Sequence, residues 1–237
     1  MGTLIPIGEG HAGNPFFTIP TANGLVGSIE LSPAGNTKTK LLDRTWKKTA
    51  NGFETTGTLL TNSGLLKQML RVDSVGDKTV VYQDRVSALS DVSLARELGV
   101  PVGIENDQLT GGRRTVHHRD GKTAFDSEKP QPPAAIPGPW ANVDGRLGVV
   151  SVVGSGLTYA QAAGYNAQAV CADVLYGSYS DRPRSFKAGD EVARRIVLFF
   201  VEVTPEETSA LSQSVRIEGD VLRFTLPEGG EAEVSLL

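Results

Sequence analysis

Short apolar and β-branched runs recur along this chain, each closed off by Gly, Pro, Asn or Asp. They are "NGLVGSIEL" (23–31), "GFETTGTLLT" (52–61), "LLKQMLRVDSV" (65–75), "KTVVYQDRVSAL" (78–89) and "RRTVHHRD" (113–120). The series continues with "RLGVVSVVG" (146–154), "AVCADVLYG" (169–177), "ARRIVLFFVEV" (193–203), "SVRIE" (214–218), "VLRFTL" (221–226) and "AEVSLL" (232–237). Runs of this length and residue type, with turn residues between them, predict strands. Many short strands at regular spacing predict a sandwich or a barrel.

The connections sharpen the picture. "GD" at 76–77, "EGD" at 218–220 and "PEGG" at 227–230 predict tight hairpins, and Asp144-Gly145 in "VDGR" is among the stronger hairpin signals. "TPEETSALSQ" predicts one short helix, with Thr204 as N-cap, Pro205 in the first helical position and Glu207 completing a capping box. A second helical turn is expected in "DVSLAREL" (91–98), with the following "GVPVGIEND" extended. "EKPQPPAAIPGPW" (128–140) carries so much proline that it predicts a stiff surface crossover, since Pro cannot join a central strand. The strand style is the same on both sides of it, so residues 1–237 are expected to form one domain. The fold expected is an all-β, large antiparallel two-sheet sandwich, of the supersandwich or jelly-roll kind, with one short helix near the C-terminus.

Composition narrows the class. The 237 residues are 39% hydrophobic and 21% charged, the balance of an ordinary soluble protein rather than a disordered or membrane one. A net charge of −4 argues against nucleic acid as a partner. The single cysteine, Cys171, leaves no intrachain disulfide and sits among small apolar neighbours, as a buried side chain would. No apolar run is long enough to span a bilayer, so no membrane partner is expected, and the N-terminal residues do not read as a signal peptide.

Established catalytic patterns are absent. The sequence holds no phosphate loop, dinucleotide fingerprint, HExxH or GxSxG, and three His with one Cys make a multi-ligand zinc site improbable. The densest polar stretch is "GGRRTVHHRDG" (111–121). On a strand, Arg113, Thr115, His117 and Arg119 share one face, and Arg114, Val116 and His118 the other. Arg113 could hold a carboxylate or sulfate of an acidic glycan, and His117 could serve as a base in β-elimination. The plainer reading is a solvated edge strand protected by charge. Glu105, Asn106 and Asp107, between glycines, offer oxygen ligands for a structural calcium, but their spacing matches no EF-hand loop and ordinary turn chemistry is the favoured reading; no other cofactor is expected. Two aromatic clusters could stack on sugar rings. One is Trp46 with Arg44, Lys47 and Lys48. The other is Tyr176 and Tyr179 with Arg182 and Arg184, extended by Arg113 and His117. Trp140, after Pro139 and before a predicted strand, reads as a structural plug.

The runs "KTVVYQDRVSAL", "GVPVGIENDQLTGG", "WANVDGRLGVV" and "ARRIVLFFVEVTPEET" together resemble the β-sandwich domains appended to helical catalytic domains in bacterial polysaccharide lyases and related glycoside-degrading enzymes. The resemblance spans residues 40 to 237. It implies a secreted, non-catalytic carbohydrate-binding or accessory module whose partners are a polysaccharide, an acidic one by the cations above, and a catalytic domain of the same parent chain. Two alternatives stay open: a catalytic lyase or hydrolase domain, and a structural domain buttressing a catalytic one. Jelly-roll lyases carry catalysis on an RxExR strand and a Gln-x-His strand. Neither pattern occurs here, and "SFKAGDE" shares only "FKAG" with the alginate-cleaving members.

Overall fold

A computed structural model describes residues 6–9, 15–19, 27–29, 40–94, 100–104, 113–126, 131–154, 156–162, 172–177 and 183–237. The chain opens with β1 (Pro6–Glu9), β2 (Pro15–Ile19), β3 (Gly27–Ile29), β4 (Lys40–Lys48), β5 (Gly52–Leu60), β6 (Leu65–Val75) and β7 (Thr79–Ala88). It continues through β8 (Val92–Leu94), β9 (Val100–Ile104), β10 (Arg113–His118), β11 (Gly121–Asp126), β12 (Gln131–Ile136), β13 (Trp140–Val143) and β14 (Leu147–Val153). The remainder is β15 (Leu157–Ala162), β16 (Ala172–Gly177), β17 (Arg184–Phe186), β18 (Glu191–Val201), α1 (Pro205–Ser214), β19 (Arg216–Glu218), β20 (Val221–Thr225) and β21 (Glu231–Ser235).

Two large antiparallel sheets dominate, so the expected all-β sandwich is the architecture found. One runs β1-β2-β3-β9-β16-β15-β12, and the other runs β11-β10-β13-β14-β18-β7-β6-β5-β4. The cluster between them joins Ile136 and Leu157 of the first sheet to Phe53, Leu70, Val72, Tyr82, Val149, Val197 and Phe199 of the second. We call that face of the nine-stranded sheet its inner face. The outer face of β7, β14 and β18 is covered too. Val81, Val150, Ile196, Leu198 and Phe200 pack there against Leu211 of α1 and against Leu222, Phe224 and Val234 of a three-stranded sheet, β19-β20-β21. Burial on both faces explains the unbroken apolar run of β18, where residues 195–201 are all buried. A third cluster closes one end. Val92 and Leu94 of β8, which pairs with β17, cover Leu59, Leu66, Val86, Ala88 and Val192.

Local chemistry explains the turns. Asp144 and Gly145 both take positive φ, 53° and 70°, as the central residues of the tight turn that the Arg146 amide closes on the Val143 carbonyl between β13 and β14. Gly76, Gly219, Gly229 and Gly230 likewise hold positive φ at the other anticipated hairpins. Thr204 caps α1. Its hydroxyl accepts from the Glu207 amide while the Glu207 carboxylate accepts from the Thr204 amide, which is the expected capping box.

Three expectations change. Residues 92–94 are strand rather than helical turn, because β8 pairs with β17 and buries Val92 and Leu94 at alternate positions. The proline stretch does cross over, from β11 in one sheet to β13 at the same side of it, but it forms β12 on the way. Among the described residues β12 pairs only with β15, at the edge where missing amide protons are tolerated, and its register shifts between Gln131 and Ala134, around Pro132 and Pro133. Finally, β10 is not an edge strand, since β11 pairs along its whole length and takes the edge position.

Candidate functional site

Among the described residues the opposite edge of the nine-stranded sheet is β4, paired on one side only, with β5. Register assigns its faces. Trp46 lies opposite Thr55, Arg44 opposite Gly57 and Lys48 opposite Phe53, so all three belong to the inner face. Lys47 lies opposite Glu54 on the outer face. The four residues read as one cluster lie on one strand, and the pleat divides them between its faces. Lys47 is held in a ladder of alternating charge. Its Nζ is 3.3 Å from Glu54 Oε2, Arg71 Nη1 is 3.8 Å from Glu54 Oε1, and Arg71 Nε is 2.6 Å from Asp73 Oδ2. Lys48 is exposed.

Trp46 is 40% exposed although it faces inward, because it sits on the last strand. One side of its indole leans on the buried Phe53 ring, with centroids 5.5 Å apart and planes tilted by 51°. A rigid aromatic surface backed by a core ring, with an ammonium two residues away on the same face, can stack on a flat apolar ring and pair with an anionic substituent.

Behind Trp46 a belt of polar side chains crosses the inner face between the two apolar clusters. Arg44 reaches across β5, where Gly57 has no side chain, and its Nη2 donates to Gln68 Oε1 at 3.0 Å. A Cβ on Gly57 would lie 3.2 Å from Arg44 Nε, so the glycine makes room for the guanidinium. Thr55 and Gln68 are buried. Deeper in, Arg195 grips Asp84 with Nε at 2.8 Å from Oδ1 and Nη2 at 2.5 Å from Oδ2, and the Tyr82 hydroxyl donates to Asp84 Oδ2 at 3.3 Å. Burial raises the Asp84 carboxyl above its ordinary range, and Arg195 pulls it back. Burial also lifts the Tyr82 phenol well above its usual value, with Asp84 adding to the effect, so Tyr82 stays neutral. No motif marked the belt. Its sequence signal is an Asp within the apolar "VVYQDRV" and an Arg within "ARRIVLFF", charges that buried strands keep only in pairs.

The other anticipated residues do not converge on one place. His117 lies on β10 opposite Asn142, on the half-buried outer side, while Val116 and His118 turn inward. His118 Nε2 is 3.0 Å from Thr123 Oγ1. Arg119 is exposed and ion-paired with Asp120 at 2.7 Å. Arg113 opens β10, opposite Asp126. Tyr176 lies on β16 of the other sheet, opposite Pro101 and Thr158. Arg184 is exposed on β17, its guanidinium 5.3 Å from the centre of the Phe186 ring. The register row of His117 meets β18 at Phe200, whereas β17 packs near Val192, eight residues away, or about 26 Å along a strand. His117 therefore does not extend the Arg184 cluster. Tyr179, Arg182, Glu105, Asn106, Asp107 and Cys171 lie outside the described residues. Among the described residues no group of three His, Cys, Asp or Glu is arranged to hold a metal, and no helix is long and apolar enough to cross a membrane. Trp140 is half-buried against the outer cluster and opens the strand of the Asp144-Gly145 hairpin, as a plug should.

No family profile and no curated protein matches the chain. Solved structures align with it at low similarity. A variant of a Glycoside Hydrolase Family 97 enzyme from Pseudoalteromonas sp. aligns at 11% identity over 83% of this chain and 34% of its own, with a TM-score of 0.44. The same family's enzyme in complex with acarbose aligns at 11% identity over 84% of this chain and 34% of its own, at 0.42. A mutant of heparan sulfate lyase HepC from Pedobacter heparinus aligns at 11% identity over 99% of this chain and 41% of its own, at 0.41. The chain thus spans well under half the length of each.

Proposed function

We propose that this chain is a non-catalytic carbohydrate-binding module, an accessory part of an extracellular polysaccharide-degrading enzyme, and that it recognises an acidic polysaccharide. The observation that carries the reading is Trp46: a large aromatic on an edge strand, 40% exposed, buttressed from behind by Phe53 and accompanied on its own face by exposed Lys48. An indole held in this way loses little freedom on stacking against a pyranose face. Lys48 supplies the charge that an anionic sugar needs. A net charge of −4 does not oppose this, because the local potential is set by the nearest groups.

Titration calorimetry with polygalacturonate and with dextran, each at low and high salt, tests the reading. Binding of polygalacturonate should weaken as salt rises, since exposed charges are screened, whereas dextran should bind weakly and without salt dependence. Trp46→Ala should reduce polygalacturonate affinity at least tenfold. Equal, salt-independent binding of both polymers would remove the acidic specificity, and unaltered binding by Trp46→Ala would remove the site.

A further inference from the structure

The inference concerns what lies behind Trp46 and rests on its reading as a sugar platform. We propose that Thr55 and Gln68 form a pocket that selects a carboxylate on the bound glycan.

The orientation of Gln68 is fixed by chemistry. Arg44 is a donor only, so the amide oxygen must face it, as the 3.0 Å contact from Arg44 Nη2 to Gln68 Oε1 shows. The Gln68 amide nitrogen is thereby turned away as a donor. It has no hydrogen-bond partner among the described residues, and neither has the Thr55 hydroxyl. The two side chains are 1% and 3% exposed. Buried polar atoms in folded proteins are almost always satisfied, so two adjacent exceptions mark a place where a further molecule belongs. Thr55 stands directly opposite Trp46, and Gln68 directly opposite Gly57, over which the Arg44 guanidinium lies.

The chemistry of the missing partner follows from what the pocket supplies. It offers amide N–H groups, a hydroxyl able to donate, and a guanidinium close by. The nearest carboxylate in the belt, Asp84, is already engaged by Arg195 and Tyr82. Buried donors without an acceptor of their own match an acceptor group with two oxygens. On a glycan that group is the carboxylate of a uronic acid, entering edge-on while its ring stacks on Trp46. Both unpartnered atoms are shielded from solvent, so a covering side chain has to move for the carboxylate to enter, and that movement falls to Trp46, which stands opposite Thr55 and is itself 40% exposed. Among the described residues its strand is paired on one side only, at the edge of the sheet.

The movement provides the readout. The chain has two tryptophans, and Trp140→Phe leaves Trp46 as the sole indole emitter. In that background, oligogalacturonate should shift Trp46 emission, and neutral maltohexaose should bind at least tenfold more weakly. Gln68→Glu keeps an acceptor for Arg44 but replaces the free donor with an anionic oxygen. It should lower oligogalacturonate affinity at least tenfold and leave maltohexaose affinity alone. Thr55→Val should lower oligogalacturonate affinity several-fold with an unchanged or higher melting temperature, since it removes an unsatisfied hydroxyl, and Thr55→Ser should restore binding. A merely structural role for these residues would move stability and not selectivity. Oligogalacturonate binding that both variants leave unchanged overturns the carboxylate pocket while Trp46 keeps its role. Dextran sulfate bound as tightly as oligogalacturonate, and equally sensitive to both variants, overturns the choice of carboxylate. Absence of binding to every glycan by the parent protein overturns the pocket together with the platform.

Discussion

A charged residue in an apolar strand is the most informative kind of position in this chain, and Arg195 is the example. It is 3% exposed and reaches Asp84 across the β7–β18 ladder, where the two stand directly opposite. Replacing it with Met should cost about 3–5 kcal/mol at neutral pH, because an uncompensated carboxylate would be left inside. The pH dependence has a definite sign. Burial already raises the folded-state Asp84 carboxyl, and Arg195 is the largest influence pulling it down. Without Arg195 it rises further above its unfolded value. A carboxyl raised on folding destabilises the native state fully above its folded pKa, less and less as the pH falls toward the unfolded pKa, and not at all below that. Denaturant melts of Arg195→Met should therefore show a deficit at neutral pH that shrinks toward acid. A deficit that grew toward acid would contradict the buried-charge account. The identity of the pair could not be read from the sequence. Asp84 and Arg195 are 111 residues apart, and only strand pairing says which buried charge meets which.

At the level of elements, the sequence was most legible where the signal was local. The capping box, the Asp144-Gly145 turn and the extent of β6 all rest on residues within a few positions of one another. It was least legible where pairing decides. β4 carries a mixed sequence, "KLLDRTWKK", that becomes a strand because β5 offers it an edge. β8 turned from expected helix to strand for the same reason. The docking of α1 is a further case. Asn142, fully buried, donates to the Val203 carbonyl at 2.9 Å and to Thr208 Oγ1 at 2.7 Å, and accepts from the Gly145 amide. It ties the β13–β14 hairpin to the helix. The neighbouring Gly148 permits the approach, since a Cβ there would come within 2.5 Å of Thr208 Oγ1. Gly148→Ala should destabilise the protein by about 1–3 kcal/mol through overpacking, and amide exchange in α1 should quicken more than in β6. Equal change in both elements would mean that the helix is not held at this point. Of the candidate site, Trp46 and its cationic neighbours were legible as a cluster. Thr55, Gln68 and Gly57 were not, because polar residues at alternate strand positions look like a solvated face until a second sheet covers them.

The whole molecule is held together by β18. The nine-stranded sheet consists of two sequence-local sets, β4 to β7 and the β10, β11, β13, β14 group, and β18 lies between β7 and β14 as the joint. Its inner residues complete the core between the sheets, and its outer ones carry α1 and the three-stranded sheet. A chain ending at residue 190 should accordingly expose the long apolar margins of β7 and β14 and aggregate, whereas one lacking only β19 to β21 should lose part of the outer layer and keep the sheet. Gel filtration and light scattering of the two truncations separate these outcomes, and a monomeric, cooperatively folding product from the shorter one would refute the joint. The position of β18 also sets a timetable for synthesis. The ribosome completes both halves of the sheet before it makes the strand that unites them. For that interval the nascent chain carries two open, apolar margins with no mate, and it is then that this protein has most need of a chaperone.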